Sequence, residues 1–111
     1  MARLPNADRA ILDIRKLERY CLDPTHPRGR HKARVFREAL GIGQHDAGWL
    51  RGALLNGIKG AEALEMGADG FGTRFRADLP LARQSRECVV RTVWIVRLDE
   101  QVPRFVTCWV L

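Results

Sequence analysis

Residues 88–98 read CVVRTVWIVRL and are followed, after Gln101-Val102-Pro103, by RFVTCWVL at 104–111. β-Branched and aromatic side chains fill both segments, and such side chains fit a pleated, half-buried surface. Two strands joined by a turn are therefore expected. Upstream, Phe71, Thr73, Phe75, Ala77 and Leu79 alternate with Gly72, Arg74, Arg76 and Asp78. A period of two marks a strand with one buried face. A weaker strand over 61–66 precedes turn signals at Gly67 and Gly70. The gaps between these segments are of turn length, which favours antiparallel hairpins.

Ahead of residue 60 the period changes. Ile14, Leu17 and Cys21 recur at i, i+3 and i+7, with Tyr20 and Leu22 beside them, predicting a helix over about 14–22. Asp23-Pro24 and His26-Pro27 stop it, because proline lacks an amide donor and restricts its predecessor. A second helix is expected over about Arg30–Leu40, with Ala33, Phe36, Ala39 and Leu40 as its apolar face and Gly41 as its end. A third runs from about Gln44 or His45 to Ile58, burying Trp49, Leu50, Ala53, Leu54 and Ile58. Helices first and strands afterwards give an α+β fold. About three N-terminal helices pack on one face of a C-terminal antiparallel sheet of about four strands. The length of 111 residues suits a single domain over 1–111.

The chain is 46% apolar and 29% charged, within the globular range. Its 19 Lys+Arg against 13 Asp+Glu give a net charge of +6, which attracts polyanions. No apolar run is long enough for a membrane span, and the N-terminus lacks the apolar centre of an export signal. Cys21, Cys88 and Cys108 are odd in number and widely spaced, as in a reducing, cytoplasmic setting without a disulfide framework. His26, His31 and His45 show no metal-ligand spacing with these thiols, so no metal is expected. No phosphate-binding loop, dinucleotide fingerprint or nucleophile elbow is present, and no cofactor is expected.

Charge concentrates in HPRGRHKARVFR at 26–37, which contains no acid. The Pro-Arg-Gly-Arg loop feeds a helix start, where backbone amides and the helix dipole favour an anion. His26, Arg28, Arg30 and Arg34 are candidate nucleic-acid contacts; a solvated basic face is the bland alternative. Lys32 lies one turn before Phe36, at the border of the apolar stripe, where a lysine either snorkels or is held. His31 is about 140° from Phe36 around the helix, on the flank. On the strands, Arg91 and Thr107 interrupt apolar runs. Arg91 needs an acid or a ligand, with Asp78, Glu87 and Asp99 as candidate acids. Thr107 is expected on one strand face with Phe105 and Trp109. His31, Lys32, Arg91 and Thr107 form a kit for cutting RNA without metal. The ribose 2′-hydroxyl is the nucleophile, histidine exchanges protons near neutral pH, and the cations and hydroxyl stabilise phosphate charge.

LPNADRAILDIRKLERYCL, HPRGRHKARVF, the following ALG, RTVWIV and PRFVTCWVL resemble an uncharacterised bacterial domain family of similar length, found in toxin-like and mobile-element contexts. The order of helices, then sheet, with a His-Lys helix start and a threonine in the closing strand, looks like the barnase–colicin D–RelE superfamily of metal-independent ribonucleases. That resemblance implies His31 or Lys32 as general acid/base, Arg91 as a phosphate clamp, Thr107 as a hydrogen-bond donor, and a neutralising protein partner.

The leading expectation is a small toxin-like endoribonuclease acting on RNA. A non-catalytic nucleic-acid-binding module, with Trp109 stacking on bases, is the second reading. A component of a toxin–antitoxin-like complex, its basic groove covered by an acidic partner, is the third. A homodimer through the last strand is a further expectation, because an uncovered edge strand can pair with another chain.

Overall fold

Strand β1 is Leu64–Asp69, β2 Gly72–Arg83, β3 Arg86–Arg97 and β4 Arg104–Val110. In the computed structural model, which describes residues 3–111, they form one antiparallel sheet in the order β1-β2-β3-β4. The α+β class and the four-stranded antiparallel sheet follow the sequence pattern. β1 begins later than expected, and Gly67 lies inside it at a register shift; Gly70 and Phe71 make the turn. β2 runs past Leu79 through Pro80 to Arg83. Pro80 is tolerated because β1 pairs β2 only as far as Arg76, so the proline has a strand on one side only. Gln84, with φ of 57°, turns the chain into β3.

Buried Phe75, Ala77 and Leu79 of β2 lie opposite Trp94, Thr92 and Val90 of β3. The next strand continues that face with Phe105 opposite Trp94 and Cys108 opposite Thr92. Two α-helices, α1 (Arg30–Leu40) and α2 (Ala47–Ile58), contribute Phe36, Leu40, Leu50, Leu54 and Ile58 to the same apolar cluster. α1 contacts β3 and β4, and α2 contacts β2. Gly41 ends α1 with φ of 67° and donates its amide to the Arg37 carbonyl.

The expected helix over 14–22 is a short turn that widens into a π turn at Leu17–Cys21. The Leu22 amide bonds the Leu17 carbonyl at 2.8 Å, five residues back. The widening stacks Leu22 over Leu17, so that Leu17, Cys21 and Leu22 are all buried. A regular α-helix would turn Leu22 well away from Leu17. Before this turn, Ile11 joins β4 in parallel: its amide bonds the Pro103 carbonyl, and its carbonyl accepts from Phe105. Part of the last strand's free edge is thereby occupied.

One buried polar group sits inside this sheet. The Thr92 hydroxyl donates to the Ala77 carbonyl at 2.7 Å and accepts from the Trp94 indole at 2.8 Å. Replacing Thr92 by Val keeps the shape and orphans the indole N–H in a dry site. Urea unfolding of Thr92→Val is expected to show a loss of about 2 kcal/mol, the cost of an unsatisfied buried donor. An unchanged midpoint would mean that the indole finds another acceptor.

Candidate functional site at the start of helix α1

The basic loop is seated by a glycine. Gly29, at the N-cap of α1, is buried against the π turn, and a Cβ built there would land on the Tyr20 carbonyl oxygen. Only hydrogen fits so close an approach. The His26 Nδ1 accepts the amides of Arg28 and Gly29, each at 3.0 Å, which leaves Nε2 to carry the ring proton. The His26 ring meets Tyr20 edge to face, centroids 4.8 Å apart. Loop and π turn thus fix each other and bring Tyr20 beside α1.

Lys32 occupies the centre of the resulting site. Its ammonium donates to the Thr107 hydroxyl at 3.0 Å and to the Tyr20 hydroxyl at 3.2 Å. It also lies 4.7 Å from the Tyr20 ring centroid and 5.3 Å from that of Trp109. These contacts stabilise a cation without neutralising it. An ammonium has three donors, so one N–H remains for a ligand. Tyr20 and Thr107 both accept from Lys32, so their own hydroxyl protons point elsewhere, with the Cys21 sulfur 3.9 Å away as one acceptor for Thr107. The remaining Lys32 N–H and these two hydroxyls are gathered in one half-buried cluster.

Thr107 reaches Lys32 because β4 is irregular. Between Val93 and Trp94 the register slips, so Val93 faces Thr107 while Trp94 faces Phe105. Phe105 and Cys108 are buried, whereas Thr107 and Trp109 are only partly so. The expected shared face for Phe105, Thr107 and Trp109 is split by this slip: Phe105 goes to the core, and the other two keep the opposite register.

Beneath the cluster, the Cys21 sulfur lies 3.9 Å from the Thr107 hydroxyl. Hydrogen bonding with the Cys108 thiol lowers the Cys21 thiol below its usual range against the effect of burial, with Thr107 and the Lys32 charge helping. The same neighbouring thiol, together with burial, pushes Cys108 up.

The other candidates divide around this centre. His31 lines a cleft of about 470 Å³ with Lys32, Val35, Trp109 and Val110. It also lines a second hollow of about 470 Å³ with Arg30, Arg34 and Arg37. Arg28 is exposed on the loop. Arg91 does not join the cluster. It alternates with core-facing Thr92 and lies between Trp109 of β4 and Asp78 of β2 on the other face, and its guanidinium turns to the acid. There it forms a two-pronged pair with Asp78 at 2.8 and 2.9 Å. Arg91 holds the Asp78 carboxyl below the usual carboxylate range. The cross-strand acid, one of the partners anticipated from the sequence, thus occupies the expected phosphate clamp.

The cations around the start of α1 are close together in the sequence and carry no ion pair among the described residues. Among the described residues, ion pairs join Arg15–Asp13, Arg74–Asp69, Arg83–Asp46, Arg91–Asp78 and Arg104–Glu100. None uses His26, Arg28, Arg30, His31, Lys32, Arg34 or Arg37. A larger hollow of about 570 Å³, between β2 and the β1 segment, is lined by Glu62, Glu65 and Asp78 as well as Arg76. Its carboxylates disfavour an anion, in contrast to the two hollows beside α1. No group of three or more metal-ligating side chains occurs among the described residues.

Tyr20 is the functional residue that sequence reasoning missed. It reads as a helix flank, and its role depends on the π turn and on Gly29. The available signal is weak: a half-buried phenol needs a hydrogen-bond partner.

No curated protein matches the chain, and no solved structure does. Residues 3–111 match the family described as a domain of unknown function, DUF6883, so that nearly the whole fold, including every residue of the Lys32 cluster, falls within one family domain. The chain belongs to the DUF6883 family.

Proposed function

We propose that this protein is a metal-independent endoribonuclease whose substrate phosphate sits against Lys32. The observation that carries this reading is the Lys32 ammonium, which lies between two neutral hydroxyls and two aromatic rings, without a carboxylate partner. Residues of α1 and β4 line the two sides of the cleft. In this reading the ribose 2′-hydroxyl attacks the neighbouring phosphorus and the 5′-oxygen leaves, giving a cyclic phosphate and a free 5′-hydroxyl. His31, at the cleft rim, exchanges the proton. The remaining N–H of Lys32 and the hydroxyls of Tyr20 and Thr107 donate to the non-bridging oxygens as charge gathers there. Trp109 offers a flat surface to an unpaired base. Arg91 has no part in this mechanism, because Asp78 neutralises it.

The test is incubation of the purified protein with total RNA in excess chelator. Cleavage is expected, with His31→Ala slower by about 100-fold, in the range of general acid–base contributions. No cleavage by the unaltered protein, or equal cleavage by both, overturns the reading. The pairing of Arg91 with Asp78 favours one competing reading, a module that binds RNA without cutting it. Salt-sensitive binding with no product would be its signature.

A further inference from the structure

The cations of α1 do not form one patch. Taking about 100° per residue, Ala33, Phe36 and Leu40 point into the core, and Lys32 lies on the flank toward β4. Arg30, Arg34 and Arg37 fall within about 60° of one another on the other flank. There they border the second hollow of about 470 Å³, closed on its far side by Leu22, Pro24 and Gly43. His31 lies between the flanks and is the residue common to both hollows. Three guanidiniums crowded on one helix face repel one another unless an anion relieves them. No ion pair among the described residues does so.

We infer that the Arg30–Arg34–Arg37 groove is a second phosphate subsite, and that a single-stranded nucleic acid crosses α1 over His31 to occupy both hollows. This rests on reading the Lys32 cleft as a nucleic-acid site and adds what the cleft alone leaves open: the substrate is a strand, not a single nucleotide. The hollows lie on either side of a helix about 10–12 Å across, so one phosphate cannot fill both. The strand is unpaired, because a base seated on Trp109 must leave its stack. Arginine suits the outer groove, since its planar fork takes phosphate oxygens two at a time.

The test uses a fluorescent single-stranded oligodeoxyribonucleotide of about 12 nucleotides. It lacks the 2′-hydroxyl and is not cut by the proposed chemistry, so the result stands apart from whether the protein is a ribonuclease. Affinity is measured by anisotropy across a salt series for the unaltered protein and for the triple variant Arg30→Gln, Arg34→Gln, Arg37→Gln. All three arginines are exposed and glutamine is a comparable helix former, so folding, checked by circular dichroism, is expected to persist. Three lost phosphate contacts should lower the slope of log K against log salt by about 2, from roughly 0.7 per contact on single strands. A duplex of equal length should bind at least tenfold more weakly to the unaltered protein. An unchanged slope, tighter duplex binding, or no nucleic-acid binding at all overturns the inference. Absence of RNA cleavage by the unaltered protein, with the slope difference intact, overturns only the catalytic reading.

Discussion

Gly29→Ala is expected to unfold this protein far more easily, while the same substitution at Gly52 is expected to stabilise it. Gly29 has φ of −89° and ψ of −16°, a conformation open to any residue. The cost is therefore steric and not conformational. The methyl group would strike the carbonyl of Tyr20, which belongs to backbone, and backbone cannot swing aside as a side chain can. Either the basic loop lifts from the π turn or the π turn shifts, and both exposures uncover packed surface. A loss of about 3 kcal/mol is expected, the upper part of the overpacking range. In a domain of this size that corresponds to a fall in Tm on the order of 10 °C. Gly52 lies within α2 with open space where a Cβ would go, so alanine there adds helix propensity of about 0.5–1 kcal/mol. Differential scanning calorimetry of the two variants checks the opposite signs. If Gly29→Ala melts with the unaltered protein, the loop is not held as described. The variant should also lose affinity for RNA, because moving the loop or the π turn displaces Tyr20 from Lys32 of α1.

The strands were legible because their signal is compositional and local. Val, Ile and Trp over 88–98 leave little choice, and the alternation over 71–79 fixes which side chains go inward. The extent of β2 was less legible. Pro80 reads as a strand breaker until the neighbouring β1 is known to stop short of it. The segment 14–22 carries a helical period, yet tertiary packing turns it into a π turn that buries Leu22 with Leu17. At the site, the placement of Lys32 beside Phe36 follows from helix geometry and could be read directly. Its partners could not. Thr107 depends on a register slip in β4, and Tyr20 depends on one glycine contact across nine residues. Arg91 shows the converse. Its charge is visible in sequence, but the pairing register that sets Asp78 opposite it is a property of the sheet.

The same dependence on partners makes Lys32→Met the most informative change at the cleft. Methionine keeps an unbranched stem of similar length, so packing over Tyr20 and Trp109 is preserved. What disappears is the charge and its three donors. Tyr20 and Thr107 are only partly buried, and water can replace the hydrogen bonds they lose. Stability should therefore change by no more than about 1 kcal/mol, since a buried or half-buried ion is weak evidence for stability in the first place. Catalysis should respond quite differently. In the proposed mechanism the ammonium acts on charge that develops only as the phosphate is attacked, and losing such a donor costs about 100- to 1,000-fold in kcat. Arginine should not rescue it, because a planar guanidinium cannot place a compact charge between two hydroxyls and two rings. The decisive comparison is kcat for RNA cleavage against urea midpoint for Lys32→Met and Lys32→Arg. A Lys32→Met protein that still cuts at the original rate removes the ammonium from the reaction. One that unfolds readily assigns it instead to holding β4 against α1.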